Sequence, residues 1–394
     1  MNFKEITASL GVTSYPEALD TVYENLSPDF NVADTERLEY LHNKYNALGN
    51  YHDLYIKTAK ELAEDKARLA FANTAAAYIK TATVAEARQI QLPPSDGTLV
   101  GDLMPLYILL TLVEDCYNSY VSRGFDKELA LKYIAGLAAW PDTVKERFCT
   151  FAMNHTAFNW SFTYLKCTLY RCGIFEFEIT KFPEGAMVMK NKNNGECRIL
   201  MCGDRKFHRS GHILGSAGQT DEADAFGPDY SETEEAFIGH ATANGLAERE
   251  ITEFKKSEWE CFVRPGDDIL SIHIPRGADL SPEPMNNSFK KGLELAKTAY
   301  PERAVKCLFC SSWLLDPTFS EMLGEGSKIA AFGESFVRFP RKSAGKELFG
   351  FAFPGDDHND YDSLSEKTTL QRKVKNLYQN GGYIHAFGGI IPEI

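Results

Sequence analysis

The feature that most constrains the fold of this chain is a change in sequence character near residue 155. Before it, segments such as residues 51–82 are rich in Ala, Leu, Lys and Glu, which are strong helix formers. After Phe158 the chain becomes aromatic and β-branched, and turn residues recur at short intervals. The sequence therefore predicts an α+β protein, with a helical N-terminal domain over 1–154 and a mixed, mostly antiparallel sheet domain with flanking helices over 155–394.

The helical half carries one strongly apolar stretch, Leu103–Val113, inside a helix predicted over residues 101–120. The stretch is shorter than the ~20 apolar residues that span a bilayer, so it indicates a buried helix. The first residues of the sequence lack the apolar core of a signal peptide. We therefore expect a cytoplasmic protein with no membrane partner, and we assign no catalytic residue to this half.

The sheet half shows strand patterns separated by turn residues. In Ile174–Thr180 apolar side chains alternate with Glu176 and Glu178, which predicts a strand with one polar face. The acidic segment 216–235 predicts an exposed loop, and a helix is predicted at Pro282–Ala299. Further elements are predicted as strands at Ala186–Lys190, Glu196–Cys202, Trp259–Val263, Ile269–Ile274, Ala304–Trp313 and Ile329–Phe339, and as a short helix at Pro317–Leu323.

The overall charge argues against a nucleic-acid partner. The chain carries 42 Lys and Arg residues against 55 Asp and Glu residues, a formal net charge of −13. A protein that binds nucleic acid without sequence preference needs a basic face for the phosphates. We therefore expect small-molecule partners.

Cysteine and histidine spacing does not predict a metal site. Cys307 and Cys310 have the spacing of half a zinc site, but the sequence contains no second pair of that kind. They also lie in an apolar run that resembles a buried strand, where cysteine acts as a small hydrophobic residue. His208 and His212 could reach one metal ion, yet no third ligand lies nearby in the sequence. We therefore expect no metal.

The strand, loop and helix between residues 269 and 299 form the most informative passage. In the strand, the side chain of His273 lies on the face opposite the aliphatic residues. The loop then leads to Ser281, the predicted N-cap of the following helix, and to Pro282 at its first position. Backbone N–H groups in such a loop can bind an anion, assisted by Arg276, and the alternative is an ordinary capped helix start.

These residues carry a resemblance to a known family. The run from Leu270 to Pro317 resembles the core signature of a bacterial acyltransferase family with a helical N-terminal N-acyltransferase domain and a GNAT-like C-terminal domain. The similarity covers residues 160–394, whereas the first 150 residues match only as a helical domain of suitable size. The matching blocks are Leu169–Gly173, Phe175–Glu178, His273–Pro275, Tyr300–Glu302, Ser311–Pro317, Ser327–Phe332, Thr368–Arg372 and Gly381–Gly382.

The resemblance implies where an acyl donor binds. In GNAT-like folds two neighbouring parallel strands splay apart, which here would be Ile269–Ile274 and Ala304–Trp313, and the pantetheine arm of acyl-CoA or acetyl-CoA lies in the gap. The loop departs from the usual family pattern because it lacks a second glycine and contains Asp279, which would repel a pyrophosphate unless it points away. The implied contacts of the donor pyrophosphate are Arg276, Gly277, Ala278 and Ser281.

The resemblance also implies transfer of an acyl group to an amine. Such a reaction needs a base, donors for the oxyanion and stabilisation of the departing thiolate. His273 is the candidate base, and Glu176 and Glu178 are alternatives on a neighbouring strand. Ser311 or Ser312 could orient the substrate or protonate the leaving group, and Cys310 is a further nucleophile candidate. For the histidine and the serines a purely structural role stays open.

Two further interpretations follow from the resemblance. The chain could be a non-catalytic acyl or small-ligand binding module that retains the GNAT-like sheet. It could also accept its acyl group from an acidic acyl carrier protein, for which a cationic docking patch is available, although charges in such positions usually form a solvated rim. The residues of that patch are Arg338, Arg341, Lys342 and Lys346.

Overall fold

A computed structural model describes residues 2–324 and 326–392 of the chain. The chain divides into two compact units, Met1–Tyr170 and Arg171–Ile394, hereafter the helical unit and the sheet unit. The boundary expected after residue 154 instead falls after Tyr170. The reason is that the helix His155–Leu165 packs against other helices of the first unit.

The helical unit is built from helices joined by short connections. Residues 51–82, which are rich in helix formers, form two helices, because the Asp65 carboxylate accepts a hydrogen bond from Arg68 N and caps a new helix. The predicted 101–120 helix is likewise interrupted between Leu110 and Val113. The helices are α1 (Phe3–Ser9), α2 (Ala18–Glu24), α3 (Thr35–Tyr45), α4 (His52–Glu64), α5 (Lys66–Thr81), α6 (Val84–Ala87), α7 (Leu99–Leu110), α8 (Val113–Ser122), α9 (Lys127–Ala138), α10 (Trp140–Phe148) and α11 (His155–Leu165).

The sheet unit begins with a run of strands over residues 169–273, and its helices are interspersed with the later strands from Pro282 onward. The predicted helix Pro282–Ala299 and the predicted strand Trp259–Val263 are confirmed with the same bounds. The strands are β1 (Leu169–Cys172), β2 (Phe175–Lys181), β3 (Ala186–Asn191), β4 (Cys197–Met201), β5 (Ser231–Glu232), β6 (Ala236–Ala243), β7 (Leu246–Lys255), β8 (Trp259–Val263), β9 (Asp268–His273), β10 (Leu308–Ser312), β11 (Val337–Pro340) and β12 (Phe387–Ile391). The helices are α12 (Pro282–Ala299), α13 (Thr318–Leu323), α14 (Lys328–Glu334), α15 (Phe349–Ala352) and α16 (Thr369–Gln379).

In the described part of the chain the strands form two six-stranded sheets. The first sheet has the order β1-β2-β9-β10-β12-β11, with β9 and β10 parallel and the pairs β2–β9, β10–β12 and β11–β12 antiparallel. The second sheet has the order β5-β6-β4-β3-β8, with β7 paired to β6. This mixed, mostly antiparallel arrangement with flanking helices confirms the predicted α+β class.

The predicted strand Ile329–Phe339 is wrong over most of its length. The hydroxyl of Ser327 accepts a hydrogen bond from Ala330 N, and this cap begins helix α14 where a strand was expected. Only the end of the segment extends, as β11. The acidic loop is largely irregular, as predicted, apart from the two residues of β5.

The first sheet is the middle layer of the sheet unit. On one face Phe175 of β2 stacks on Phe289 of α12 with ring centroids 5.1 Å apart. On the other face Phe309 of β10 and Ile390 of β12 share a hydrophobic core with residues of the second sheet, including Val188. Because side chains alternate between the faces of a strand, the residues in register with Phe309 and Ile390 face the second sheet.

Candidate active site

The parallel strands β9 and β10 pair only at their beginnings. In the part of the chain that the structure describes, the register joins Leu308 to Leu270 and Phe309 to Ser271, and no later pairs follow. Both strands nevertheless continue, β9 to His273 and β10 to Ser312. The two strands therefore part over their C-terminal halves, where each leaves backbone hydrogen-bonding groups without a partner strand.

His273 and Glu178 meet at this point of separation. Nε2 of His273 lies 2.9 Å from Oε2 of Glu178, and the two side chains are 29% and 11% exposed. β2 and β9 pair antiparallel with Glu176 opposite His273 and Glu178 opposite Ser271, so Glu178 reaches the ring from the diagonal position on the same face. Glu178 is thus the predicted glutamate whose carboxylate contacts the histidine ring at hydrogen-bond distance. A carboxylate that accepts Nε2–H holds the ring in the tautomer whose lone pair is on Nδ1.

Register also separates the two serine candidates. Phe309 lies beside Ser271 in the parallel pair, so Ser311 and His273, each two residues further on, lie on the same face of the sheet. Ser311 is exposed, whereas the hydroxyl of Ser312 accepts a hydrogen bond from Leu314 N at 3.1 Å. Ser312 therefore stabilises the end of β10, and Ser311 is the serine that the fold places on the histidine face.

The cysteine candidate has the wrong electrostatics for a nucleophile. Cys310 is 1% exposed, and burial raises the pKa of its thiol to about 12. Burial also raises the pKa of Cys307 to about 12, and all nine cysteines are free thiols. A thiol with such a pKa stays protonated at neutral pH, so Cys310 acts as a packing residue.

A serine lies between the two histidines that have metal-ligand spacing. Ser210 lies between them, with its Oγ 2.7 Å from Nδ1 of His208 and 3.0 Å from Nδ1 of His212. Burial, followed by the proximity of His385, lowers the pKa of His212 to about 4. Across the described residues, no group of three or more His, Cys, Asp or Glu side chains is placed to hold a metal ion.

The loop between β9 and α12 offers several backbone donors. Gly277 has a φ of +79°, a conformation that favours glycine. Among the described residues, the N–H groups of Gly277, Asp279 and Leu280 have no acceptor, whereas Ala278 N–H donates to Pro275 O. The first turn of α12 contributes little, because Pro282 and Pro284 have no N–H. The hydrogen-bond donors available to a bound anion are therefore mainly backbone N–H groups of the loop, and less those of the helix N-terminus.

Asp279 is directed into a local network. Its Oδ1 accepts hydrogen bonds from Ser281 N and Ser281 Oγ and lies 2.7 Å from Lys328 Nζ. The pairing with Lys328, followed by the Ser281 contacts, lowers the pKa of Asp279 to about 2. Ser281 is the N-cap residue of α12, as predicted, but its hydroxyl donates to Asp279 and makes no cap hydrogen bond. The Arg276 side chain is exposed beside this loop.

Sequence reasoning missed a second buried contact at the same edge of the sheet. Asp316, predicted to cap the following helix, does accept from Thr318 N at 2.8 Å, but it also accepts from His385 N at 2.5 Å. Nε2 of His385 lies 2.9 Å from Ala217 O. The backbone N–H of His385 thereby holds the start of β12 beside the end of β10, whereas its ring binds the loop that contains Ala217. The only sequence signal was the helix-capping position of Asp316.

The proposed docking patch is divided in the fold. Arg338 is half-buried and donates to Leu315 O at 3.4 Å, and Lys346 Nζ lies 2.9 Å from Asn359 Oδ1. Arg341 lines a cavity between the two sheets, and Lys342 is exposed. Arg338 and Arg341 are thus half-buried, so that of the four cations only Lys342 and Lys346 are exposed for a partner surface.

Comparisons with known proteins place this geometry in a family. The sequence model of the GNAT-like C-terminal domain matches residues 169–391. No curated protein sequence matches the chain. No helix in residues 2–324 and 326–392 combines the length and apolar character needed to cross a membrane.

Solved structures share the fold over both units. An acyltransferase variant in complex with octanoyl-CoA has 16% sequence identity and a TM-score of 0.65, covering 100% of each chain. An acyltransferase in complex with decanoyl-CoA and teicoplanin has 16% identity and a TM-score of 0.63, covering 99% of each chain. An acyltransferase in complex with decanoyl-CoA has 14% identity and a TM-score of 0.64, covering 100% of each chain. At these identities the likeness is one of fold.

Proposed function

This chain belongs to the GNAT-like C-terminal domain family, and from that premise we propose that it transfers an acyl group from acyl-CoA to an amine. The observation that carries the proposal is the His273–Glu178 pair at the point where β9 and β10 separate. A thioester lying between the two strands would have its carbonyl carbon beside a histidine held in one tautomer. The His273 side chain is 29% exposed, so an incoming amine can approach the ring from solvent.

The separated strand edges suit the donor. Leu270 N–H donates to Cys307 O, so Leu270 faces β10, and by strand alternation the N–H of Ile272 faces the gap. An amide-containing pantetheine arm can take the place of the missing strand pairing. The N–H of Ile272 then provides a donor for the oxyanion that forms on the thioester oxygen.

The transfer itself needs one proton movement that His273 is placed to perform. The amine nitrogen attacks the thioester carbonyl carbon, Nδ1 of His273 takes the proton from that nitrogen, and the C–S bond breaks to give an amide and CoA thiolate. Glu178 stabilises the imidazolium formed in this step. The hydroxyl of Ser311, on the same face, donates a hydrogen bond to the departing sulfur. The imidazolium of His273 then gives its proton to the thiolate, directly or through solvent, which yields free CoA and restores the neutral histidine.

The loop 276–281 would hold the donor phosphates. Its amides at Gly277, Asp279 and Leu280 have no acceptor among the described residues, and the exposed Arg276 guanidinium adds a charge. Lys328 neutralises the carboxylate of Asp279. The solved structures of similar fold contain octanoyl-CoA and decanoyl-CoA, which makes medium-chain acyl-CoA the donor to test first.

A thermal-shift titration separates transfer from mere binding. We expect octanoyl-CoA to raise the melting temperature, since a ligand that binds only the native state stabilises it by mass action. Addition of a panel of amines should then release free CoA and yield an amide detectable by mass spectrometry. Stabilisation without CoA release for any amine would favour the alternative of a non-catalytic binding module. An acyl carrier protein loaded with the same acyl group, used in place of octanoyl-CoA, tests the carrier as donor.

A further inference from the structure

Two arginines line a cavity that the proposed reaction does not use. The cavity has a volume of about 170 Å³ and lies between the two sheets of the sheet unit. Arg341, which directly follows β11, and Arg205, in the loop after β4, contribute its charged part. Phe207, Ile213 and Phe339 contribute apolar surface. The cavity thus combines two guanidinium groups with an apolar floor.

Neither guanidinium is neutralised by the protein. Arg341 is half-buried and Arg205 is exposed, and across the described residues neither has an ion pair or a hydrogen-bond acceptor. Glu184 lines the same cavity but forms no ion pair with either arginine in that part of the chain. A half-buried guanidinium without a counter-charge loses hydration that nothing replaces, and two neighbouring arginines repel each other. Burial, and then the charge of Arg205, lowers the pKa of Arg341.

The backbone around the arginines is held in place. Ala217 N donates to Ser343 O at 3.0 Å, and Ser343 N donates to Ser216 Oγ at 3.3 Å. These bonds join the loop after β4 to the segment that follows β11. The arginine pair therefore belongs to a built cavity, because both segments that carry it are tied to each other.

Sheet register places this cavity on the face of the proposed active site. Ser311 of β10 pairs with Gly388 of β12, and Gly388 pairs with Phe339 of β11, so these residues share one face. Phe339 lines the cavity. Neighbouring strands lie about 4.8 Å apart, so β11 is roughly 10 Å from β10 and roughly 14 Å from β9, which carries His273.

We propose that Arg341 and Arg205 bind a carboxylate of the acyl acceptor, whose amine lies at His273 some 10–15 Å away. A guanidinium fork matches a carboxylate in a bidentate manner, and a carboxylate removes the repulsion between the two arginines. The acceptor is therefore an amine that carries a carboxylate at that distance, as a short peptide does. The assignment to the acceptor rests on the proposed function, whereas carboxylate binding rests on the arginine pair alone.

Tetraglycine and tetraglycine amide are matched probes of the cavity. An extended peptide spans about 3.3–3.6 Å per residue, so four residues place the amine about 13–14 Å from the C-terminal group. By calorimetry at constant ionic strength, we expect wild type to bind tetraglycine at least tenfold more tightly than the amide. Arg341→Gln and Arg205→Gln should each abolish that preference. Arg209→Gln, which removes an exposed arginine from the same loop but not from the cavity lining, should retain it.

The outcomes distinguish this proposal from the proposed function. Equal binding of peptide and amide to wild type, or a preference that survives in both Arg341→Gln and Arg205→Gln, overturns the carboxylate site. Since Arg205 is exposed, its variant tests the site even where Arg341→Gln fails to fold. With octanoyl-CoA as donor, we expect Arg205→Gln to raise KM for tetraglycine with kcat unchanged. Carboxylate-dependent binding without transfer to any amine would overturn the acyltransferase assignment and leave the carboxylate site standing.

Discussion

Replacement of His273 by alanine should damage both catalysis and stability, for two separable reasons. Loss of a general base lowers turnover by about 10²–10⁴-fold. Loss of the imidazole also leaves the Glu178 carboxylate, 11% exposed, without its hydrogen-bond partner at 2.9 Å. An orphaned buried acceptor costs about 1–3 kcal/mol, and more when charged. For a unit of about 150–250 residues, each kcal/mol shifts the melting temperature by about 2–4 °C, so we expect a fall of about 2–12 °C.

The double variant His273→Ala/Glu178→Ala separates the two effects. It removes the orphaned carboxylate, so its melting temperature should recover toward wild type, whereas its turnover should stay as low as that of His273→Ala. Turnover is measured as free CoA thiol released from octanoyl-CoA with an amine that wild type accepts, well below the melting temperature. Glu178→Gln, which keeps an acceptor for Nε2–H, serves as the conservative control.

Two results would refute this reasoning. Turnover of His273→Ala within about threefold of wild type would show that the histidine is not the base. Turnover that recovers together with the melting temperature in the double variant would show that His273 acts only through the stability of the sheet. Either result removes His273 from the proposed mechanism.

Three further variants test the fold and the donor loop. Gly292→Ala should destabilise the protein by about 1–3 kcal/mol, because the new Cβ would lie 2.6 Å from the Phe177 ring. The control Gly136→Ala should not destabilise it, because the new Cβ would enter open space, with no packed neighbour within 4 Å among the described residues. Chemical denaturation measures the free energy of unfolding of both variants. Asp268→Asn should cost about 1–2 kcal/mol at pH 7, because Arg303, followed by Lys181, lowers the pKa of Asp268 to about 2. The stabilisation by the Asp268 carboxylate is present above the unfolded pKa near 4 and is lost as the pH falls through about 2. The difference in unfolding free energy between wild type and Asp268→Asn should therefore shrink over that range. An unchanged difference at about pH 2 contradicts the ion pairing of Asp268. Arg276→Ala should weaken octanoyl-CoA binding by about tenfold in calorimetry, while Arg209→Ala should leave it unchanged.

The sequence alone predicted the parts of the fold that depend on local signals. Pro282 at the first helical position marks the start of α12. The alternation of aliphatic and polar side chains from Ile269 onward likewise predicts strand β9. At Ser327, however, a local capping hydrogen bond outweighed the strand-like composition that follows it. Strand β12 was missed because its two glycines, Gly388 and Gly389, carry no strand pattern.

The candidate site depends on contacts between residues that are distant in the sequence. Glu178 and His273 are 95 positions apart, and they meet because β2 pairs with β9. The register places Glu176 opposite His273, so the diagonal contact of Glu178 with the ring appears only in the structure. The choice of Ser311 over Ser312 likewise needs the register of β9 against β10. Arg341 was recognised as part of a charge group, but its neighbour Arg205 was not, since nothing in either segment indicates that they share a cavity.

The most direct test of the account is hydrogen–deuterium exchange with and without saturating octanoyl-CoA. If the donor lies where β9 and β10 separate, peptides covering residues 268–281 and 308–313 should exchange more slowly with the ligand. Those segments contain the Ile272 amide, the open end of β10 and the phosphate loop. Unchanged exchange in both segments at saturation, or protection confined to the helical unit, would contradict the placement of the donor.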